Sequence, residues 1–424
     1  MVFPLLKHKD NRVRGNAILL VHSQDPTRAL NELKNMASSK MLWMRSSALY
    51  CIKALNFDEK EVKAASEVIS DGWLSMGEKI NHFEKGFERF LGKNIHCKAV
   101  SNGTAALHMA LLALDVRPGD EVIIPSLTFV ANANVVNLVG AIPVIADSTS
   151  LDNWNMSIKS IENQITKKTK AIIVVHYAGY PVDDIEKISK LCKDKKIGLI
   201  EDVAHAPGAS VNGKMCGTFG DVGCFSFFSN KNLSIGEGGM TSTKCPDLNQ
   251  KLGYLRSHGM TTLTFDRHKG RAMTYDVAQP GLNYRMDEIR AAIGSVQLEK
   301  LPKGNIKRGL LTERYRKNFR DSRILIPFEE KKPLIKSAYH ILPVMLPPDV
   351  NRSTIIEKLK ERKIQASIHY PPFWNFSAYR GQFSPDDAKV TADICLRQLT
   401  LPLYPTMTVD EVDLVSKALL EALE

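Results

Sequence analysis

Cys224-Phe-Ser-Phe-Phe-Ser-Asn-Lys231-Asn-Leu-Ser-Ile-Gly-Glu-Gly-Gly239 sets one lysine between an apolar run and a glycine-rich stretch that reads as flexible. Twenty-nine residues upstream, the strand-like run Ile197-Gly-Leu-Ile-Glu-Asp202 ends in an acid. Further back, Ser101-Asn-Gly-Thr-Ala-Ala106 puts small residues and unpaired backbone N–H groups at the start of an apolar helix. Around these, short apolar runs at 121–124, 143–146, 171–175 and 197–200 alternate with helix-like stretches such as 183–195. The alternation predicts an α/β fold, a mostly parallel sheet covered by helices on both faces. Asp202 then falls just past a strand's C-terminal end, where open α/β sheets bind ligands.

The three parts suit one chemistry. A lysine amine adds to an aldehyde only when deprotonated, so a desolvated or cation-adjacent setting activates it. An ionised aspartate beside a pyridine nitrogen favours the protonated ring, which accepts electrons. Helix N-terminal amides and hydroxyls hold a phosphate, and Gly103, Thr104 and Ser226 offer them. An aromatic face such as Phe129 stacks on a ring. Together these are the parts of a pyridoxal 5′-phosphate site. Taken singly, each has a plainer explanation: a lysine is usually a solvated charge, and an aspartate ending a strand is more often a turn residue. His176, His205 and His369 each read alone as structural histidines.

Ordered motifs settle the balance. They are Asp71-Gly-Trp-Leu-Ser75, Val100-Ser-Asn-Gly-Thr-Ala-Ala-Leu-His108, Gly119-Asp-Glu-Val-Ile-Ile-Pro125, Thr128-Phe-Val-Ala131 and Val175-His-Tyr-Ala-Gly179. Next come Glu201-Asp-Val-Ala-His-Ala206, Gly223-Cys-Phe-Ser-Phe227, Asn230-Lys-Asn-Leu233 and Glu237-Gly-Gly239. Arg256-Ser-His-Gly259, Gly281-Leu-Asn-Tyr-Arg-Met286, His369-Tyr-Pro-Pro372 and Leu401-Pro-Leu-Tyr-Pro405 complete the series. With them the chain resembles the DegT/DnrJ/EryC1/StrS sugar aminotransferases, of fold type I among pyridoxal enzymes, from about Phe57 to the C-terminus.

The resemblance implies roles by position. Lys231 corresponds to the Schiff-base lysine and proton shuttle, Asp202 to the partner of the pyridinium, and His205 to the neighbour of the phenolic oxygen, where many members have glutamine. Thr104, Ala105 and Ser226, with Gly103, correspond to the phosphate cradle, and Phe129 to the stacking ring. Asn283 corresponds to a residue reaching the phosphate of the neighbouring subunit, which implies a homodimer with shared sites. Trp73, Ser75, His176, Arg285, His369 and Tyr370 fall on the substrate side; no metal is implied. The expected activity is transfer of an amino group, with glutamate the donor expected, to a keto sugar nucleotide in amino-sugar biosynthesis. His176-Tyr-Ala-Gly179 and the segment Arg256 to Tyr275 look most like members that aminate UDP-linked sugars, with UDP- or dTDP-linked 4-keto and 3-keto sugars all open. A dehydratase of the same family is the first alternative, and Lys231 argues against it because those members carry histidine there. A helical-repeat scaffold with a degenerate enzyme behind it is the second, opposed by the joint presence of Lys231, Asp202 and Ser226. Asp147-Ser-Thr and Tyr180 depart from the family pattern in ways expected to alter the sugar pocket.

The remaining features add bounds. Across 424 residues, 44% hydrophobic content fills a sizeable core. Seven cysteines without a close pair argue against a disulfide framework or zinc site and for the reducing cytoplasm. The apolar residues 3–6 stop at Lys7-His-Lys-Asp10, so no signal peptide is expected. Residues 122–146 hold 25 residues without a charge, but Pro125, Pro143 and three asparagines favour a buried strand–helix–strand over a membrane span. Helices are expected at 288–298 and 306–319. Expected domains are 1–55, a helical segment; 56–320, the large cofactor-binding domain; and 321–424, a small α+β domain. In the first, Asn11-Arg-Val-Arg14-Gly-Asn-Ala17 recurs as Leu42-Trp-Met-Arg45-Ser-Ser-Ala48, which resembles a HEAT-type repeat; two unrelated amphipathic helices are the plainer reading. That segment carries nine of the basic residues against three acids, +6 of the formal +11. Without glycine-rich or clustered aromatic motifs, a solvated face is favoured over nucleic-acid binding.

Overall fold

The computed structural model describes residues 56–262, 269–270, 273–328 and 334–424. The helical repeat read at 1–55 therefore lies outside the described residues.

The described part opens on α1 (Glu59–Asp71) and α2 (Glu78–Leu91), then enters a seven-stranded sheet. Its strands are β1 (His96–Val100), β2 (Glu121–Pro125), β3 (Ile142–Ala146), β4 (Thr169–Val175), β5 (Gly198–Asp202), β8 (Val222–Ser226) and β9 (Gly239–Thr243). The order is β1-β9-β8-β5-β4-β2-β3. β9 alone runs against its neighbours β1 and β8, and the other pairings are parallel. The helices between strands are α3 (Gly103–Ala113), α4 (Ala131–Leu138), α5 (Ile158–Gln164) and α6 (Ile185–Lys195), with α7 (Pro246–Arg256) after β9. A short ribbon of β6 (Ser210–Val211), β7 (Lys214–Met215) and β10 (Ile335–Lys336) lies outside the main sheet.

Central strands read as unbroken apolar runs because both faces are covered. In β4, Ala171 and Ile173 join one apolar cluster with Leu107 and Met109 of α3 and Val135 of α4. Ile172 and Val174 point the other way and join Ile185, Ile188 and Cys192 of α6. The uncharged stretch 122–146 is resolved into β2, α4 and β3. Among the described residues no helix is long and apolar enough to cross a membrane.

The two helices expected at 288–298 and 306–319 are one, α8 (Glu288–Phe319), 32 residues with Pro302 inside. Pro302 lies on the exposed face, where water can satisfy the carbonyl its ring deprives of a donor. Buried side chains hold the helix on both sides of it. Its first half packs on α1 and α2. Leu311, Tyr315 and Phe319 of its second half enter a separate apolar cluster. That cluster is built with β11 (Leu342–Met345), α9 (Arg352–Glu361), β12 (Gln398–Leu401) and α11 (Val409–Leu423), with α10 (Lys389–Arg397) preceding β12.

Candidate active site

A cavity of about 560 Å³ opens at the C-terminal ends of the parallel strands. Its wall includes the last residues of β4, β5 and β8, namely Val175, Asp202 and Ser226. The start of α3 closes one side with Gly103, Thr104 and Ala105. Phe129 follows β2, and Lys231 follows β8. His369 and Tyr370 reach the same cavity from the C-terminal part of the chain, and His205 completes this set. Ten of the residues singled out in the sequence thus meet in one place.

Close packing, more than flexibility, explains the glycines. A Cβ on Gly103 would stand 2.8 Å from Ser226 Cβ, so only glycine lets the start of α3 approach β8. A Cβ on Gly239 would meet the Asn102 carbonyl oxygen at 2.5 Å. Within the glycine run Gly238 and Gly239 are closely packed, whereas Gly236 has open space around it and takes a left-handed φ of 88°. Asn102 caps α3 by accepting from Ala105 N at 2.8 Å. The Ala105 amide is therefore taken, and Gly103 and Thr104 carry the helix-start N–H groups without partners inside the helix.

Asp202 is buried, and each carboxylate oxygen has a donor: Ala204 N to Oδ1 at 3.0 Å and Asn132 Nδ2 to Oδ2 at 2.9 Å. Burial pushes its carboxyl above the usual range, against these donors and the nearby Lys231 ammonium. Lys231 shows the converse. Desolvation pulls its amine down to about 8, opposed by the Asp202 charge.

His205 accepts from Ala178 N through Nδ1 at 3.3 Å, and burial first, then Lys231, hold it well below the usual histidine pKa. A neutral ring accepting at Nδ1 carries its proton on Nε2. Nε2 lies 2.9 Å from the Tyr370 hydroxyl, so Tyr370 accepts and its own proton is left for a partner in the cavity. Burial keeps that phenol protonated. Nε2 of His205 is thus engaged by Tyr370, whose ring also lies 5.4 Å from Phe129.

Other residues singled out in the sequence lie outside this chain's own cavity. His176 is fully buried, accepts from Val182 N at Nδ1 and faces Glu201 through Nε2, each at 3.0 Å, and does not reach the cavity. Trp73 lines a separate cleft with Asp71, His82 and Glu288, and Ser75 is on the same loop. Asn283 bridges Ser257 and Arg285 bridges Val100 through the backbone, and neither lines the cavity. Asp147 caps the start of α10 through Val390 N and Thr391 N, both at 2.9 Å, and Tyr180 stacks on Phe328 at 4.5 Å. Neither departure lines the cavity as expected.

Three supports escaped the sequence reading. Glu201 accepts from Gly217, Phe219 and Gly220 amides at 2.8, 2.7 and 2.7 Å, besides His176. Full burial alone would raise its carboxyl, but His176 and these amides outweigh that and hold it below the usual range. Its presence in an apolar strand was the available signal. Asn232, next to the lysine, donates to Asn305 Oδ1 at 2.8 Å and the Ala338 carbonyl at 2.6 Å, and its oxygen faces His340 Nδ1 at 2.9 Å. Asn132 is the third.

The donor set fits pyridoxal phosphate: a desolvated amine, a buried carboxylate matched to a cation, and a helix start that a Cβ would block. Comparison with known proteins agrees. The model of the DegT/DnrJ/EryC1/StrS aminotransferase family matches residues 56–420. MJ1066 of Methanocaldococcus jannaschii is 35% identical over 84% of this chain and 92% of its own length. The aminotransferase TlmJ of Streptoalloteichus hindustanus is 31% identical, with a TM-score of 0.80 over 88% of this chain and 98% of its own. PseC of Helicobacter pylori, an aminotransferase involved in the biosynthesis of pseudoaminic acid, is 29% identical, with a TM-score of 0.80 over 87% and 98%. The fold is that of the type I pyridoxal-phosphate aminotransferases, and solved neighbours include PLP and PMP forms. On the match of 56–420 and the converging site, the chain belongs to the DegT/DnrJ/EryC1/StrS family and is a pyridoxal-phosphate-dependent aminotransferase.

Proposed function

We propose that the chain transfers an amino group from an amino acid, glutamate first among donors, to a keto sugar carried on a nucleotide diphosphate. The observation that carries this is the convergence of Lys231, Asp202 and the α3 start in one cavity of about 560 Å³. That is room for a cofactor with part of a substrate beside it. TlmJ and PseC, both aminotransferases and the second involved in the biosynthesis of pseudoaminic acid, support the substrate class by analogy. Beyond residue 55 the chain keeps an excess of 48 basic over 43 acidic residues, which suits an anionic nucleotide.

When bound, the cofactor supplies an electron sink that stabilises negative charge on the carbon losing its proton. The chain's residues do the rest. Gly103 and Thr104 amides and the Ser226 hydroxyl hold the phosphate, and Phe129 faces the ring. Asp202 keeps a cation at the ring nitrogen. Lys231 Nζ is the amine that would hold the aldehyde carbon and, once freed by the donor, the base that would take the donor's α-proton and return it from the same face. The Tyr370 hydroxyl donates to an oxygen in the cavity, oriented by His205. We place the sugar-side contacts on His369 and Tyr370 and on the Trp73–Ser75 loop, with Asn283 reaching the cofactor phosphate of a second copy in a homodimer. We further assign residues 56–320 to a cofactor-binding domain and 321–424 to a smaller one. The unpaired cysteines among the described residues suit the cytoplasm.

The test is the visible absorption spectrum of purified protein, alone and with glutamate, beside Lys231→Ala. A cofactor band that glutamate bleaches, and that the variant lacks in its resting form, supports the reading; a panel of keto sugar nucleotides then identifies the acceptor. No band after incubation with pyridoxal phosphate would sink it.

A further inference from the structure

We propose that Asn132 is a positioning residue for the Asp202 carboxylate, present as an amide for its two N–H groups while its own oxygen stays unpaired. Nδ2 donates to Asp202 Oδ2 at 2.9 Å and to Thr128 Oγ1 at 2.8 Å, so both amide protons are used. The side chain is 0% exposed, and Oδ1 has no partner. A buried acceptor without a donor destabilises the fold, and leucine of similar size would carry no such penalty. Packing alone therefore gives no reason for an amide here.

Capping gives none either. Asn132 is the second residue of α4, past the cap position held by Val130, and that helix start has no side-chain cap bond. What the amide does achieve is geometric. With Ala204 N on Oδ1 and Asn132 on Oδ2, each carboxylate oxygen has one donor, which fixes the plane of the group. The second proton ties the same side chain to Thr128, next to Phe129 on the cavity wall. One residue thus sets the carboxylate and the neighbouring aromatic loop together.

This inference rests on Asp202 serving as the partner of the cofactor's ring nitrogen. The test uses cofactor-free protein as wild type, Asn132→Leu, Asp202→Asn and the double variant, measuring the dissociation constant for pyridoxal phosphate and the melting temperature. Asn132→Leu binds cofactor about tenfold more weakly, the weight of a hydrogen bond to a charged group, while its melting temperature reports only that it folds, since loss of the orphan oxygen is offset by loss of the donor to Asp202. In the Asp202→Asn background the same change alters binding by less than about twofold, since the charge it served is absent. Asn132→Ala, with the same binding pattern expected, replaces the leucine variant should that fail to fold. Wild-type-like binding by both variants overturns the inference, as does an equal effect in both backgrounds, which marks a merely structural role. Wild type that takes up no cofactor overturns the site reading and this inference with it; wild type that binds normally beside unaffected variants overturns this inference alone.

Discussion

Lys231 gains reactivity from its surroundings, since burial brings its amine from 10.5 to about 8 while the Asp202 charge resists the drop. Only the free amine attacks an aldehyde, and a depressed pKa leaves more of it at neutral pH. The rate at which cofactor-free protein captures pyridoxal phosphate should therefore rise about tenfold per pH unit below 8 and level off above it. Asp202→Asn removes the anion that favours the ammonium, so its midpoint should lie lower. Stopped-flow absorbance across pH 6 to 10 measures both; a midpoint near that of a free lysine, or one raised by Asp202→Asn, contradicts the account. Lys231, Asp202, Ser226 and Gly103 were legible because each sits in a short ordered motif. Asn132 and Tyr370 act on partners 70 and 165 positions away, and sequence spacing carries no trace of such pairs. His176 lies in a recognisable motif too, but its burial against Glu201 appears only once the strands are assembled.

Helix α2 shows how an element can depend on a distant side chain. Its cap residue, Gly77, offers no side-chain bond, and a carboxylate from the first residue of α8 takes over. Glu288 Oε1 accepts from Gly77 N and Ile80 N at 2.9 Å each, and Oε2 from Lys79 N at 2.8 Å. A negative charge at a helix N-terminus also meets the favourable end of its dipole. Glu288→Ala leaves three amides without this acceptor and should cost about 3 kcal/mol, whereas Glu288→Gln, which keeps an oxygen, should cost about 1 kcal/mol. Urea unfolding checks this, with the cofactor spectrum expected unchanged because Glu288 lies outside the main cavity. A loss under about 0.5 kcal/mol for the alanine variant would show that water replaces the clamp. At this scale the strands were legible as apolar runs and α6 as a periodic one. The continuity of α8 was not, because Pro302 is a local signal for a break while the packing that overrides it comes from α1, α2 and α11.

Helix α8 also organises the molecule. At 1.5 Å per residue it spans about 48 Å, long enough to join the packing around α1 and α2 to the C-terminal cluster. At mid-length, Asn305 holds the Asn232 amide beside the lysine, and buried Arg308 donates to the His340 and Leu403 carbonyls at 3.1 and 2.8 Å. The start of the described part and the C-terminal cluster are thereby referred to the cavity through one rod. The described part begins on that rod too: Lys300 contacts the Asn56 carbonyl, and Asp58 and Glu61 of the α1 cap pair with Lys300. Every residue placed around the cavity comes from Asn102 onward, and the family match starts at residue 56. A variant beginning at residue 56 should therefore fold, bind pyridoxal phosphate and support the donor half-reaction at rates within about twofold of the full chain, a change under about 0.5 kcal/mol. Circular dichroism and the glutamate-dependent loss of the visible band measure this. A truncated protein that aggregates, or that binds cofactor but no longer reacts, would mean that residues 1–55 complete the catalytic unit, and their basic character would then be the place to seek the reason.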